Sequence, residues 1–276
     1  MRPNLLVIGA AKCGTTSLHQ YLNAHPQIAM SRQKELDFFV AEKNWGRGLD
    51  WYEAQFSPAQ VRGETSPSYS AYPFYLGVPE RIRRVLPEAR IVYLVRDPID
   101  RIVSHYEHRA VTYREMGALD DVLADAPLAR WFVDVRRYAL QLERYLEYFT
   151  FDDVLVVDAD ALAADPACAL SSIFAFLDVD PNFHSEAFAR RHNPSSQLTR
   201  PNAAGRLART TLQRCLTSGG YAAVASRVPD VLKTGLRTSA RAHLSDSNRV
   251  WLEDELRDDV GRLRELTGLP FAGWSL

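Results

Sequence analysis

The sequence predicts an α/β fold in which a parallel β-sheet is covered by helices on both faces, and three observations carry that reading. Short apolar runs at Leu5-Leu6-Val7-Ile8, Ile91-Val92-Tyr93-Leu94-Val95 and Val154-Leu155-Val156-Val157 are too short for helices and read as buried strands. Each is followed by a segment with helical spacing of apolar residues, and strands joined by helical crossovers lie parallel. No internal repeat or low-complexity linker breaks the alternation, and 276 residues with 46% hydrophobic content can bury one full core. Residues 1–276 therefore read as a single domain: a core over 4–180, a basic lid or cap at about 184–243, and a C-terminal helix at about 246–267.

Taken in order, the first strand ends at Gly9, and the hydroxyl cluster Thr15-Thr16-Ser17 opens a helix carrying Leu18, Tyr21 and Leu22. Pro26 ends it, and Gln27 to Met30 can be a short extended segment. Trp45 to Phe56 is aromatic without a clean period and reads as a loop or irregular helix. A strand leads into Glu64-Thr65-Ser66-Pro67-Ser68-Tyr69, and Tyr69, Tyr72, Phe74 and Tyr75 could line a cleft or simply pack. Pro79 to Leu86 has helical spacing, stopped by Pro87. After the strand ending at Val95, Asp97 is a good N-cap and Pro98 a good first helical residue, so a helix starts at once. Gly117 to Pro127 reads as one short connecting helix, and Arg136 to Phe149 as a strongly amphipathic one. Asp165-Pro166 caps another, with Leu170, Ile173, Phe174 and Leu177 inside. The last helix, Asn248 to Leu266, is expected to pack on the sheet with Trp251, Leu252, Leu256, Val260, Leu263 and Leu266 inward.

A formal net charge of −1 gives no electrostatic footprint for nucleic acid, so no nucleic-acid partner is expected. Cys13, Cys168 and Cys215 are widely spaced and odd in number, which argues against a disulfide framework or a zinc site. The sequence near Arg2-Pro3-Asn4 has neither a signal h-region nor a spanning segment, so a cytoplasmic location is expected, and abundant Ala, Arg and Asp suggest a bacterial source.

The chemistry concentrates at Gly9-Ala10-Ala11-Lys12-Cys13-Gly14-Thr15-Thr16-Ser17. A strand, tight loop and helix start turn backbone N–H groups and the positive helix end toward one point, which suits a phosphate. Gly9 and Gly14 have the spacing of a nucleotide-triphosphatase loop, but Thr15 stands where that motif has Lys, and Lys12 lies between the glycines. This departure resembles the phosphosulfate loop of sulfotransferases that use 3'-phosphoadenosine 5'-phosphosulfate (PAPS). The stretch Val95-Arg96-Asp97-Pro98 through Ser104 is similar to their 3'-phosphate motif, in which an Arg at the strand end and a Ser in the helix clamp the doubly charged group. Lys34-Glu35 followed by Phe38-Phe39 resembles the segment that supplies the general base in the heparan sulfate sulfotransferase group, and Val61 to Tyr69, with Glu64 and Ser66-Pro67 inside it, resembles that group's Glu/Lys-Ser-Pro-x-Tyr segment.

The resemblance implies the sulfotransferase fold with a P-loop-type sheet, PAPS as donor, adenosine 3',5'-bisphosphate as product and no metal. It implies Lys12 and Glu35 as catalytic residues. It implies a cofactor site of Lys12, Cys13, Gly14, Thr15, Thr16, Ser17, Arg96 and Ser104. Lys34, Ser66, Tyr69, Tyr138, Arg200 and Arg206 are candidates for acceptor or lid contacts, and His105 and His108 are rival bases, because many cytosolic members use a His. The expected acceptor is a small molecule, a lipid or a carbohydrate, with oligomeric state open. Alternatives are a P-loop nucleotide or small-molecule kinase, which the missing Gly-Lys-Ser/Thr disfavours, and a catalytically silent nucleotide-binding module.

Overall fold

The computed structural model describes residues 1–112, 117–190, 199–201, 237–239 and 242–276. Five strands, β1 (Leu5–Gly9), β2 (Ile28–Met30), β3 (Val61–Thr65), β4 (Arg90–Val95) and β5 (Val154–Asp158), form one sheet in the order β2-β3-β1-β4-β5. Every pairing in it is parallel, as the crossovers predict. Leu5 to Ile8 have no exposed surface, and each such side chain contributes about 1.5–3 kcal/mol relative to exposure. Register sets Val7 beside Thr65 and Val92, so the carboxyl ends of the three central strands open on the same edge. That edge is where a parallel sheet holds its ligand.

The helices in chain order are α1 (Thr15–Asn23), α2 (Gly48–Glu53), α3 (Val78–Val85), α4 (Pro98–Thr112), α5 (Leu119–Ala124), α6 (Ala126–Asp134), α7 (Tyr138–Leu146), α8 (Ala159–Ala164), α9 (Pro166–Phe176) and α10 (Asp246–Thr267). Trp45 to Phe56 resolves into a 3-10 turn followed by α2. The expected connecting helix is two helices, because Asp125 leaves helical geometry and caps α6 by accepting from the Leu128 amide at 3.2 Å. The helix expected from Arg136 starts at Tyr138, where the Asp259 carboxylate of α10 accepts the Ala139 and Leu140 amides at 3.0 Å each.

The last helix corrects its expected packing. It lies chiefly along α7, α4 and α6 rather than directly on the strands, and Trp251 sits at the surface. Its Leu252 and Leu256 join Ile99, Ile102, Tyr106, Phe132 and Val133 in a second apolar cluster, while Val260 and Leu263 reach the main core. Among the described residues no helix is long and apolar enough to cross a membrane. Of the expected basic lid, residues 191–198, 202–236 and 240–241 lie outside the described residues. The described parts include a two-stranded antiparallel pair, β6 (Thr199–Pro201) and β7 (Arg237–Ser239).

Candidate active site

The loop between β1 and α1 is shaped by two glycines. A Cβ at Gly9 would stand 2.1 Å from Ser70 Oγ, so only glycine lets the loop pass that close. Gly14, at φ 86°, is the N-cap of α1 and brings no capping side chain to the first-turn amides. Thr15 and Ser17 are buried and Thr16 half-buried beside those amides. Lys12 also takes a left-handed conformation, φ 70°. Cys13 serves the loop's shape: its amide donates to Ala10 O at 3.2 Å and its buried Sγ lies 3.8 Å from Tyr138 Oη. From beneath, the buried Arg101 donates to Ala11 O and Val135 O, both at 2.7 Å, fastening the loop to the turn before α7.

Three separate stretches converge on Lys12. Burial holds its ammonium below the ordinary lysine range; Arg96 and Lys34 push the same way, while Glu107 and Cys13 oppose them. The strand-end arginine and the Lys34-Glu35 segment therefore stand within electrostatic reach of the loop.

Glu35 sits in a tight left-handed turn: it has φ 63°, Asp37 has φ 48°, and the Glu35 amide donates to Thr65 O at 2.9 Å. The Glu35 side chain is 55% exposed and ion-pairs with Lys34. Phe38 and Phe39 do not cover Glu35, because both rings turn into the core, Phe38 stacking on Tyr52 at 4.2 Å. Asp37 instead faces inward and accepts from Lys43 Nζ at 2.5 Å, which also donates to Ser68 Oγ at 2.8 Å.

Arg96 leaves the end of β4 with its carbonyl accepting from Tyr138 Oη at 2.7 Å. Its Nη2 donates to Asp100 at 3.0 Å and its Nε lies 3.8 Å from Asp160. That Nε is buried without a hydrogen-bond acceptor among the described residues. Asp97 caps α4 as expected, accepting the Ile99 and Asp100 amides at 2.9 Å each, and its other oxygen accepts the Ser275 hydroxyl at 2.7 Å. Ser104 is buried two turns into α4.

The two histidines separate. His105 is wedged under Arg136, which donates to its Nδ1 at 2.5 Å; burial, and after it the Arg136 charge, push its pKa far down, so the ring stays neutral. His108 faces the site: burial lowers it, the Lys12 charge lowers it further, and Glu35 opposes both.

Other candidates are corrected. Ser66, Tyr69 and Tyr138 are buried behind the site and line no acceptor surface, because each hydroxyl is engaged inward with Glu64 or the Arg96 carbonyl. Arg200 falls in β6, apart from the five-stranded sheet, and Arg206 lies outside the described residues. Arg101, Glu107 and Arg136 carry no motif mark, and Glu64 stands in the Ser-Pro-x-Tyr segment without a role that the sequence assigns. One signal was available, since Arg101, Ser104, His105 and His108 recur at helical spacing and give α4 a polar stripe on one side.

The residues present fit a nucleotide with phosphates at two ends. An uncapped helix start with three hydroxyls and Lys12 offers one anion cradle, and the Arg96 guanidinium, with a buried N–H that finds no acceptor among the described residues, offers the other.

A family model described as "Sulfotransferase domain" matches residues 2–203. Human heparan sulfate glucosamine 3-O-sulfotransferase 5 is 33% identical over 191 residues, covering 65% of this chain and 54% of that protein. Mouse bifunctional heparan sulfate N-deacetylase/N-sulfotransferase 3 is 32% identical over 204 residues, covering 67% of this chain and 23% of that protein. The chain thus spans about half the length of the first relative and about a quarter of the second. Among solved structures, a sulfotransferase from Alicyclobacillus acidocaldarius superposes with a TM-score of 0.73 at 25% identity, covering 100% of both chains. With the loop, the strand-end arginine and the family match agreeing, the chain belongs to the sulfotransferase family.

Proposed function

We propose that the protein transfers a sulfuryl group from PAPS to a hydroxyl or amine of a carbohydrate acceptor. The observation that carries the reading is that Arg96 and Lys34 stand within electrostatic reach of Lys12, with Glu35 ion-paired to Lys34 and its amide bonded to Thr65 O at the carboxyl end of β3. The carbohydrate class is supported by the relatives, whose names specify heparan sulfate. In this reading the α1 amides with Thr15, Thr16 and Ser17 hold the 5'-phosphate, and Arg96 with Ser104 holds the 3'-phosphate. The nucleotide supplies an activated sulfuryl group and a phosphate leaving group. Glu35, exposed at the site, accepts the acceptor's proton as the new bond to sulfur forms and the bond from sulfur to the phosphate oxygen breaks. Lys12 stabilises the charge gathering on that leaving oxygen.

The test is transfer from sulfur-35-labelled PAPS, in EDTA, to a panel of desulfated heparan oligosaccharides, phenols and lipids. Label is expected on the oligosaccharides, reduced about 10²–10⁴-fold by Glu35→Gln, the range for loss of a general base. No labelled product there, with phosphoryl transfer from ATP in a parallel assay containing magnesium in place of EDTA, would establish the kinase alternative instead.

A further inference from the structure

Behind the exposed Glu35 lies a second carboxylate that this chemistry leaves unused. Glu64, near the end of β3, has no exposed surface. Its Oε1 accepts from Tyr52 Oη at 2.6 Å and Tyr69 Oη at 2.8 Å, and its Oε2 accepts from Ser66 Oγ at 2.7 Å. Two of those hydroxyls have a further task. Ser66 Oγ accepts the Asp37 amide at 3.0 Å, and Tyr69 Oη accepts the Phe39 amide at 3.3 Å.

An ionised carboxylate can only accept, so it fixes the direction of each hydroxyl proton. Ser66 and Tyr69 must donate toward Glu64, and their lone pairs are then turned outward to the two amides. Those amides lie at the end of, and just after, the turn in which Glu35 and Asp37 hold left-handed backbone, a conformation that costs non-glycine residues energy and persists only when its surroundings enforce it. We propose that Glu64 is a positioning residue for Glu35: through Ser66 and Tyr69 it anchors the Asp37 and Phe39 amides and thereby the turn that presents the base. The proposal rests on Glu35 acting as that base.

Glu64 also titrates where enzymes work. Burial raises it to about 7, against the three hydrogen bonds that favour its charged form. The groups facing it are Tyr52 from α2, Ser66 and Tyr69 from the segment after β3, Asp37 from the turn and Tyr145 from α7. Protonation gives Glu64 a donor of its own, and the fixed direction of the hydroxyls is lost.

The experiment compares wild type, Glu64→Gln, Ser66→Ala and the double variant. Readouts are amide hydrogen exchange and PAPS turnover with water as acceptor, followed as release of adenosine 3',5'-bisphosphate. Both single variants are expected to speed exchange at Asp37 at least tenfold while leaving α1 unchanged. Glu64→Gln is expected to lower kcat at least tenfold with KM for PAPS within twofold, and to remove a loss of rate below about pH 7 present in wild type. In the double variant the two effects on kcat combine to less than their product, because one acts through the other. Unchanged exchange at Asp37 in both single variants, kcat within twofold in Glu64→Gln, or full multiplicativity would overturn the proposal. Affinity for adenosine 3',5'-bisphosphate is measured alongside. Its absence from wild type would refute the sulfotransferase reading, whereas exchange reports the anchoring separately.

Discussion

Lys12 differs from a phosphate-binding lysine on a flexible arm, because its backbone is left-handed within the loop and its side chain is partly buried. A charge desolvated in that way interacts strongly with whatever negative charge develops beside it. Lys12→Ala is therefore expected to cut sulfuryl transfer about 10²–10³-fold, the scale for removing one preorganised donor from a developing oxyanion. Binding of adenosine 3',5'-bisphosphate, which has no sulfuryl group to lose, should change far less. Equal losses in kcat and nucleotide affinity, measured by steady-state kinetics and titration, would assign Lys12 to ground-state binding. At this scale the loop was legible because its signal is local: Gly9, Lys12, Gly14 and Thr15 lie within seven consecutive positions. The tasks of Glu64 and Arg136 were not, since a charged residue in sequence carries no mark of the buried partners it meets after folding.

Among the elements, α4 carries the most. It begins at Asp97, whose carboxylate caps the helix with one oxygen and ties down Ser275 with the other, so one side chain joins the Arg96 motif to the chain's last residues. Asp97→Ala removes the cap and the tie, at a cost of about 1–2 kcal/mol. For a chain of this size the expected fall in Tm is about 2–8 °C, read by calorimetry. An unchanged Tm would show that the tie is not maintained in solution. The cap was legible from Asp97-Pro98 alone. The start of α7 was not, because the Asp259 carboxylate that fixes it lies 120 residues away from Ala139 on α10. For the same reason helical spacing placed Trp251 inward: periodicity identifies an apolar side but not the neighbour that covers it.

For the whole molecule, the buried acids set how stability depends on pH. Glu64 is raised from 4.5 to about 7 in the folded protein, chiefly by burial. The folded state therefore holds a proton that the unfolded state releases between those values, and stability falls as pH rises from about 4.5 through about 7. The shift corresponds to about 3 kcal/mol. Glu64→Gln removes this dependence, so its stability relative to wild type should rise between pH 5 and pH 8 by up to that amount, read from urea midpoints. Parallel curves for the two proteins would contradict a raised Glu64. The parallel sheet and the convergence of both phosphate motifs on one edge were legible in the alternation of short strands and helices. The way the edge is braced from behind was not, because it arises from contacts among β3, α2 and the Glu35 turn that no single stretch contains. The central claim is that this edge binds a nucleotide by both phosphates. Its most direct test is calorimetric titration with adenosine 3',5'-bisphosphate in EDTA, using ADP and the Arg96→Ala variant as controls. Metal-free binding of the bisphosphate, weaker for ADP and reduced at least tenfold by Arg96→Ala, is the predicted result; no binding, or binding indifferent to the 3'-phosphate and to Arg96, would contradict it.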